Sequence, residues 1–523
     1  MSKNIFNNTT SLQEALELLN NKAAGGGPDT SDATATAADI LEGKTAYVAG
    51  EKITGNIAFQ AAKTITPSVL DQVAIASGYY AGGDVTVVGD ANLIAENIKK
   101  DVSIFGIEGT CEGGGGGENK EAEILTRTIT EYSNDSLTAL GDYAFAKCSK
   151  LAAVDFPACT SIGANAFRSC SNLTSVSFSA CTKIGASAFY DCSSLATINF
   201  PICTMIGTSA FTNCSGLTSV SFPVCTSIGT SAFSGCSSLT NVSFPVCESI
   251  GSFAFYYCNS LTSINFPACT SIRNNAFYCC YSLTAAYFPV CKVISTYAFQ
   301  DCTRLETASF PVCTSIGGSA FIYCYRLTSV NFPECTSIGS YAFMACSTLV
   351  SAIFPKCTSI GSYAFSSCSS LTTADFPACT SVDSYAFDSC FTLVYANFPA
   401  CISISNSAFR RCTNLTTVDF HSCITINNDA FYYCMSLTSI SLPACTSIGQ
   451  GAFKYCSNLT TLVLRQPDVK LASINAFQTT PMSSTQYTGT WGSIYVPASL
   501  VDAYKSATNW ATYADRITAL EEE

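Results

Sequence analysis

Cysteine is the residue type with the greatest potential for chemistry in this sequence. There are 31 cysteines among 523 residues, and thiolates bind metals, form disulfides and act as nucleophiles. Fifteen of them recur every 22 residues from Cys148 to Cys456, and fourteen recur at the same interval from Cys159 to Cys445. No Cys-x-x-Cys pair is present, and the adjacent Cys279 and Cys280 lack further ligands at metal-binding spacing. The sequence therefore predicts no metal site and no cofactor.

The regular spacing of the cysteines also disfavours disulfides. Within one repeat, two cysteines flank an extended segment of about 20 Å, which is too long for a disulfide to bridge. Between repeats, equivalent residues of stacked strands lie about 4.8 Å apart with parallel Cα–Cβ vectors, which is a poor disulfide geometry. We therefore expect free thiols that pack as small apolar side chains, which is typical of a protein folded in a reducing cytoplasm.

The histidine and the aspartates provide few candidates for catalytic residues. His421 is the only histidine, and it replaces the proline found at a corner of most repeats. Asp375 and Asp419 occupy one position in repeats two apart, so about 9–10 Å would separate them, a distance that an inverting glycosidase tolerates. No aromatic subsite or apolar pocket surrounds them in the sequence. The sequence therefore predicts no catalytic residues, and we expect the protein not to be an enzyme.

These residues all belong to one long repeat. The phenylalanine of an Ala-Phe dipeptide, called here the turn phenylalanine, recurs fifteen times at intervals of 22 residues from Phe145 to Phe453. A fixed period in the twenties is typical of a solenoid, whose repeats bury their apolar side only against their neighbours. One repeat reads "LTSVSFPVCTSIGTSAFSGCSS" (Leu217 to Ser238), and its opening fits the L-x-x-L-x-L frame of a leucine-rich-repeat strand.

The same repeat predicts the path of each coil. Proline ends the strand because it has no N–H, and Ile-Gly makes a second corner. The turn phenylalanine then enters the core from the outer side, on a 3₁₀ or short helical turn. The predicted fold is an α/β-type repeat: a leucine-rich-repeat solenoid of about 15–16 coils with a parallel sheet on one face. A small β-rich N-terminal region precedes the solenoid.

The repeat, with "SIGxxAFxxC" as its core, closely resembles the BspA-like leucine-rich repeats of bacterial surface proteins. The resemblance covers residues 129–478, and the segment Gly492 to Leu520 resembles the terminal cap of the same family. This chain departs from the family pattern in its strict 22-residue step and in its nearly invariant pair of cysteines. The resemblance implies an adhesin rather than an enzyme.

Composition excludes several classes of partner. The net charge is −12 and only 12% of the residues are charged, which disfavours binding to nucleic acid or to an anionic membrane surface. The sequence has no continuous apolar run long enough to span a bilayer, so we expect no membrane insertion. The N-terminal stretch lacks a basic segment followed by an apolar one, so we also expect no secretory signal.

Composition shifts divide the chain into six predicted segments. Ser11 and Glu14 form a capping-box pair ahead of a leucine stripe, which predicts a short N-terminal helix. Glycine-rich stretches then predict a linker and a hinge. The segments are a docking tail (1–22), a flexible linker (23–39), small β-rich modules (40–112), a hinge (113–120), the solenoid (121–478) and a C-terminal cap (479–523).

Two stretches before the hinge resemble modules of tail and fibre proteins of phages of Gram-positive bacteria. They are "ILEGKTAYVAGEKITGNI" (Ile40 to Ile57) and "ANLIAENIKKDVSIFGIEGT" (Ala91 to Thr110). Apolar residues alternate around a glycine-containing turn in the first stretch, which predicts a hairpin. The resemblance implies that residues 1–112 attach to other virion proteins and carry assembly as a homotrimer.

Two surfaces of the solenoid are candidates for ligand binding. One is the sheet face, with rows of Thr, Ser and Asn. The other is the outer face, where tyrosines stand at positions that hold serine in other repeats, so the fold does not require them. Aromatic planes beside hydroxyl rows suit sugars, although tyrosines also simply cover a thin solenoid. The candidate ligand-binding residues are Tyr341, Tyr363, Tyr385, Phe253, Tyr256, Tyr257, Tyr278 and Tyr281.

Three functions remain open from the sequence. The favoured hypothesis is a phage virion adhesin, made in the bacterial host cytoplasm, whose solenoid recognises a host cell-surface glycan or protein. A BspA-like adhesin of the bacterial cell surface is the first alternative. A passive structural or decoration protein of the virion is the second.

Overall fold

The computed structural model describes residues 127–483 and 491–521, Ile124, and the backbone of six short strands between residues 45 and 108. The chain divides into two units, Met1–Leu125 and Thr126–Glu523. The predicted docking tail, linker and hinge lie outside the described residues. In the first unit, a hairpin is present within the stretch for which one was predicted. The strands of this unit are Thr45–Val48 paired antiparallel with Glu51–Thr54, Ser103–Ile104 paired antiparallel with Ile107–Glu108, and Thr64–Ile65 paired parallel with Thr86–Val87.

The second unit is a leucine-rich-repeat solenoid of about 17 turns, as the 22-residue period predicts. A parallel sheet of 16 two-residue strands, called here the long sheet, runs through every coil without a break. Its strands are Ala139–Leu140, Ser161–Ile162, Lys183–Ile184, Met205–Ile206, Ser227–Ile228, Ser249–Ile250, Ser271–Ile272, Val293–Ile294, Ser315–Ile316, Ser337–Ile338, Ser359–Ile360, Ser381–Val382, Ser403–Ile404, Thr425–Ile426, Ser447–Ile448 and Lys470–Leu471.

The predicted L-x-x-V-x-F strand forms a second parallel array, which is broken into short sheets of two or four strands. In eleven coils the phenylalanine is followed by proline, which supplies no N–H to extend the strand. The short sheets comprise Glu131–Ser133, Ala153–Asp155, Ser175–Ser177 and Thr197–Asn199; Ser219–Ser221 and Asn241–Ser243; Ser263–Asn265, Ala285–Tyr287, Thr307–Ser309 and Ser329–Asn331; Ser351–Ile353, Thr373–Asp375, Tyr395–Asn397 and Thr417–Asp419; and Ser439–Leu442, Thr461–Leu464, Ser493–Val496 and Ile517–Ala519.

Two stacked columns of phenylalanine fill the core. The turn phenylalanines lie nearly parallel, and Phe321 has ring centroids 5.1 Å from Phe299 and 5.2 Å from Phe343. The strand phenylalanines form the second column, and Phe310 meets Phe321 edge to face at 6.1 Å. Offset stacks and edge-to-face contacts are the favoured geometries of aromatic rings. Each coil therefore buries its rings against the coils before and after it.

The predicted helical turn at the turn phenylalanine is wrong. Residues 127–473 contain no helix, and the Ala-Phe segment is an irregular turn. In each of the fifteen coils, the residues two before and two after the turn phenylalanine have φ between 54° and 74°, which is the left-handed region. Those two residues reverse the chain twice within five positions, and a right-handed helix cannot contain them.

Both cysteine columns consist of buried, free thiols, as the spacing predicts. From Cys159 to Cys456, each thiol of the two columns also donates a hydrogen bond, which the spacing does not predict. In one column, Cys236 Sγ donates to the carbonyl oxygen of Phe211 one coil back, at 3.2 Å. In the other, Cys225 Sγ donates to the carbonyl oxygen of Ser227, at 3.3 Å. The thiol thus fills a small apolar site and satisfies a carbonyl within it.

The last coil and the segment after it close the core. Phe477 lies on a 3₁₀ helix, and Trp510 packs 6.1 Å from its ring while Trp510 Nε1 donates to the carbonyl oxygen of Val469 at 2.7 Å. Strand Ser493–Val496 extends the final short sheet. The helical elements here are 3₁₀ helices Ile474–Phe477, Ala498–Leu500 and Trp510–Arg516 and the α-helix Val501–Ser506.

Candidate functional site

The surface around the turn phenylalanines, called here the turn face, carries the aromatic side chains that the sequence singles out. Tyr341, Tyr363 and Tyr385 lie two residues before successive turn phenylalanines. Their rings stack in one column, with centroids 5.0 Å apart and planes 3° apart for the first pair, and 4.7 Å and 5° for the second. The 22-residue step places them in register because equivalent residues of adjacent coils lie side by side. We call this column the tyrosine ladder.

The ladder is partly exposed at one end and anchored at the other. Tyr341 is 39% exposed, whereas Tyr363 and Tyr385 are half-buried. The Arg410 guanidinium lies 5.4 Å from the Tyr385 ring centroid, and its Nε donates to Asp388 Oδ1 at 2.8 Å. Burial and the neighbouring rings raise the pKa of Tyr363. Its hydroxyl is protonated at neutral pH, as in any tyrosine, and can donate a hydrogen bond to a ligand.

A second aromatic cluster surrounds two earlier turns. Phe253, Tyr257 and Tyr281 are exposed, while Tyr256 and Tyr278 are half-buried and stack 5.1 Å apart. Tyr257 contacts both Tyr256, at 4.5 Å, and Tyr281, at 6.4 Å. The structure therefore brings all five predicted residues together. Burial, together with the neighbouring Cys279, raises the pKa of Tyr278 to about 12.

A third aromatic group on the turn face was not predicted. Phe391, Arg411, Thr413, Tyr432 and Tyr433 line a cavity of about 380 Å³. The two tyrosines belong to an "FYYC" sequence that also occurs in the second cluster, where its tyrosines were singled out. Recurrence of that sequence is the signal that points to this cavity. Phe391 and Arg411 come from the two preceding coils, and only the stacking of coils brings them to the tyrosines.

The candidates for catalysis and metal binding form no reactive site. Asp375 Oδ1 accepts a hydrogen bond from Asn397 Nδ2 at 2.7 Å, and Asp419 Oδ1 accepts one from the His421 backbone N–H at 3.1 Å. In the described part of the chain, no group of three or more His, Cys, Asp and Glu side chains is arranged to hold a metal ion. The same residues include no helix long and apolar enough to cross a membrane.

A family model, the BspA type leucine-rich repeat region, matches residues 126–240, 226–350, 292–401, 336–460 and 380–498. These overlapping matches cover the solenoid from its first coil to the cap. No curated protein matches the chain.

Several solved structures are similar to the chain. A leucine-rich repeat protein from Bacteroides ovatus is 25% identical with a TM-score of 0.50, over 64% of this chain and 87% of that one. A leucine rich cell surface protein from Faecalibacterium prausnitzii is 22% identical with a TM-score of 0.32, over 67% and 91%. The pneumococcal vaccine antigen PcpA is 14% identical with a TM-score of 0.27, over 71% and 80%.

Proposed function

Because the chain belongs to the BspA-type leucine-rich repeat family, we propose that it is a non-enzymatic adhesin of a bacterial cell surface. Its turn face recognises a cell-surface glycan or protein. The observation that carries this proposal is the tyrosine ladder, three stacked rings with an exposed end on a surface of low charge. Contiguous exposed aromatic side chains are typical of interaction sites.

The fold does not need the ladder tyrosines. Serine holds the same position, with the same left-handed backbone, at Ser187, Ser209 and Ser231 (φ 54°, 54° and 55°). Aromatic rings present flat apolar faces that stack on the C–H faces of sugars, while hydroxyls exchange hydrogen bonds with them. The ladder therefore offers a surface for ligand contact that the backbone of the repeat does not require.

The sheet face is less suited to binding polar ligands. Threonines beside both sheets donate their hydroxyl hydrogens to the solenoid itself. Thr240 Oγ1, beside the short sheets, donates to the carbonyl oxygen of Thr218 at 3.0 Å, and Thr182 Oγ1, beside the long sheet, donates to that of Thr160 at 3.1 Å. A ligand there would meet donors that already have partners. This favours the turn face as the binding surface.

Replacing Tyr341, Tyr363 and Tyr385 together with serine tests the proposal. We expect binding to glycan arrays or to target cells to be lost while the protein remains folded, because the position accepts serine in other coils. Tyr297→Ser is the matched control: Tyr297 holds the same repeat position and is 42% exposed, but serine and asparagine occupy that position in the adjacent coils. Retained binding by the triple variant would contradict the proposal.

The virion hypothesis rests on residues 1–112, and apart from six short strands that region lies outside the described residues. Its predicted virion partners and homotrimer remain predictions. The match to the BspA-type family and the similarity to the Bacteroides ovatus leucine-rich repeat protein favour the cell-surface alternative. Immunogold labelling of intact cells and of particles released by lysis separates the two. Label on cells supports the adhesin, whereas label on particles alone restores the virion hypothesis.

A further inference from the structure

We propose that the cavity lined by Phe391, Arg411, Thr413, Tyr432 and Tyr433, called here the Arg411 cavity, binds a pyranose sugar that carries a carboxylate. Uronic acids and sialic acids share this chemistry. The inference deepens the proposed function, since it assigns a ligand class to a second site on the turn face. It does not depend on the tyrosine ladder.

The cavity is built by three successive coils that hold its walls in place. Thr413 Oγ1 donates to the carbonyl oxygen of Phe391 at 3.1 Å, and the Arg411 backbone N–H donates to that of Tyr432 at 2.7 Å. The ring centroids of Tyr432 and Tyr433 are 5.7 Å apart, and the Tyr433 ring packs against Tyr455 with centroids 5.1 Å apart. These contacts fix the aromatic walls before any ligand arrives, which lowers the entropic cost of binding.

The positive charge in the cavity has no internal partner. Among the described residues, no carboxylate lies within ion-pair distance of Arg411, which is exposed. The preceding residue differs, because Arg410 pairs with Asp388 at 2.8 Å. Lys356 likewise pairs with Glu334, at 2.6 Å. In a chain of net charge −12, a guanidinium with no ion-pair partner that lines the same cavity as aromatic rings is suited to an anionic ligand.

Size and chemistry narrow the ligand class. A volume of about 380 Å³ lies at the small end of ligand pockets and suits one or two sugar rings. Exposed Phe391 and Tyr433 rings offer stacking faces for the apolar side of a pyranose. A guanidinium recognises a carboxylate through two parallel N–H···O bonds. The rings accommodate a pyranose, and the fork of donors selects a sugar acid over a neutral sugar.

Isothermal titration of the full chain tests this with defined probes: trigalacturonate, sialyllactose and the methyl ester of each. Esterification removes the charge and keeps the ring. We expect at least one acid to bind, and its ester to bind about tenfold or more weakly, since charge-assisted hydrogen bonds are the strong ones. The acid that binds identifies the source of the ligand.

Two substitutions locate the binding. Arg411→Ser and Tyr433→Ser should each weaken acid binding about tenfold or more. Both should fold, because Ser367 and Ser389 hold the same repeat position with the same left-handed backbone (φ 61° at each). Lys147→Ser and Tyr323→Ser are the matched controls, at the same repeat position in distant coils, and should bind like the parent.

Three results would overturn the inference: no binding of either acid, equal binding of acid and ester, or unchanged binding by Arg411→Ser. None of them bears on the proposed function, because cell binding that depends on the tyrosine ladder is measured separately. Conversely, the triple ladder variant should bind the sugar acid as well as the parent does. If it does not, the two sites are one, and the separate assignment of the Arg411 cavity fails.

Discussion

Each cysteine of the two columns is small, and its thiol can donate a hydrogen bond to a buried carbonyl oxygen. Cys236 is fully buried, and burial raises its pKa to about 12; Cys225, in the other column, has its pKa raised to about 11 for the same reason. Alanine would fill the space without donating, and a thiol is less costly to bury than a hydroxyl. These thiols are protonated and sequestered at neutral pH, so they are structural rather than reactive.

Raised thiol pKa values predict a steep loss of stability in alkali. An unfolded cysteine titrates near 9.0, and burial holds Cys236 protonated to about 12. Between those values, the unfolded chain releases protons that the folded chain keeps, so rising pH favours unfolding by about 1.4 kcal/mol per thiol per pH unit. Below pH 8 the thiols are protonated in both states and contribute no pH dependence.

Urea denaturation at a series of pH values measures this effect. The free energy of unfolding should be flat from pH 7 to 8 and fall sharply above about pH 9. The ultraviolet absorbance of thiolate should stay low in the folded protein at pH 10 and appear on unfolding. Strong thiolate absorbance in the folded state, or unchanged stability across this range, would contradict the buried-donor account.

The left-handed residues shape the turn of each coil. Two per coil turn the chain around the turn phenylalanine, and their side chains project onto the turn face where the aromatic clusters lie. Serine, asparagine, aspartate, tyrosine and glycine fill most of these positions, and no valine or isoleucine does; the one threonine is Thr479, two residues after Phe477 in the last coil. β-Branched side chains are disfavoured at positive φ. The positions therefore accept many residue types while the backbone stays the same.

A valine placed at a left-handed position should destabilise its coil. Ser231→Val (φ 55° at the parent residue) should cost about 1–2 kcal/mol. Ser227→Val is the matched control, four residues earlier in the same coil, because Val293 holds the equivalent strand position in another coil. The control should change stability by less than about 0.5 kcal/mol. Equal effects of the two substitutions, measured by thermal unfolding, would show that the turn backbone is not what excludes valine.

For a single coil, the sequence predicts the period and the core residues but not the hydrogen bonds of the backbone. Period, inward Leu and Phe residues and buried cysteines follow from residue types at fixed spacing. The long sheet does not, because a two-residue Ser-Ile strand has no propensity signal and forms only because identical backbones stack. The residue types do not distinguish a helical turn from a left-handed one, because serine and asparagine occur both at helix ends and in left-handed turns. The Arg411 cavity joins residues of three coils, and only the stacked geometry reveals it.

The whole solenoid is held together by contacts between neighbouring coils. Rings of each coil stack on those of the next in two columns, and the long sheet links every coil to its neighbours. The stability of such a molecule is the sum of the free energies of the coils and of the interfaces between them. A defect in one coil therefore weakens the coupling between the two halves of the solenoid, and each half remains folded. A binding face spread over several coils can vary locally for the same reason.

Phe321→Ala tests this coupling near the middle of the solenoid. Phe321 is fully buried between Phe299 and Phe343, and its loss should cost about 3–5 kcal/mol locally. Unfolding should then separate into two transitions in calorimetry or in hydrogen exchange. Phe310→Leu is the control, since leucine holds the equivalent position at Leu442 and Leu464, and it should keep the parent's transition. A single unchanged transition in Phe321→Ala would refute nearest-neighbour coupling.

The central claim is that the turn face, not the sheet face, binds the ligand. Its most direct test compares two variants of the full chain on glycan arrays and on bacterial and epithelial cells. One replaces Tyr341, Tyr363 and Tyr385 with serine; the other replaces Tyr287 and Tyr395, exposed tyrosines on the short sheets, with serine. We predict that the first loses the binding shown by the parent and the second keeps it. Loss of binding in the second variant with retention in the first would contradict the claim.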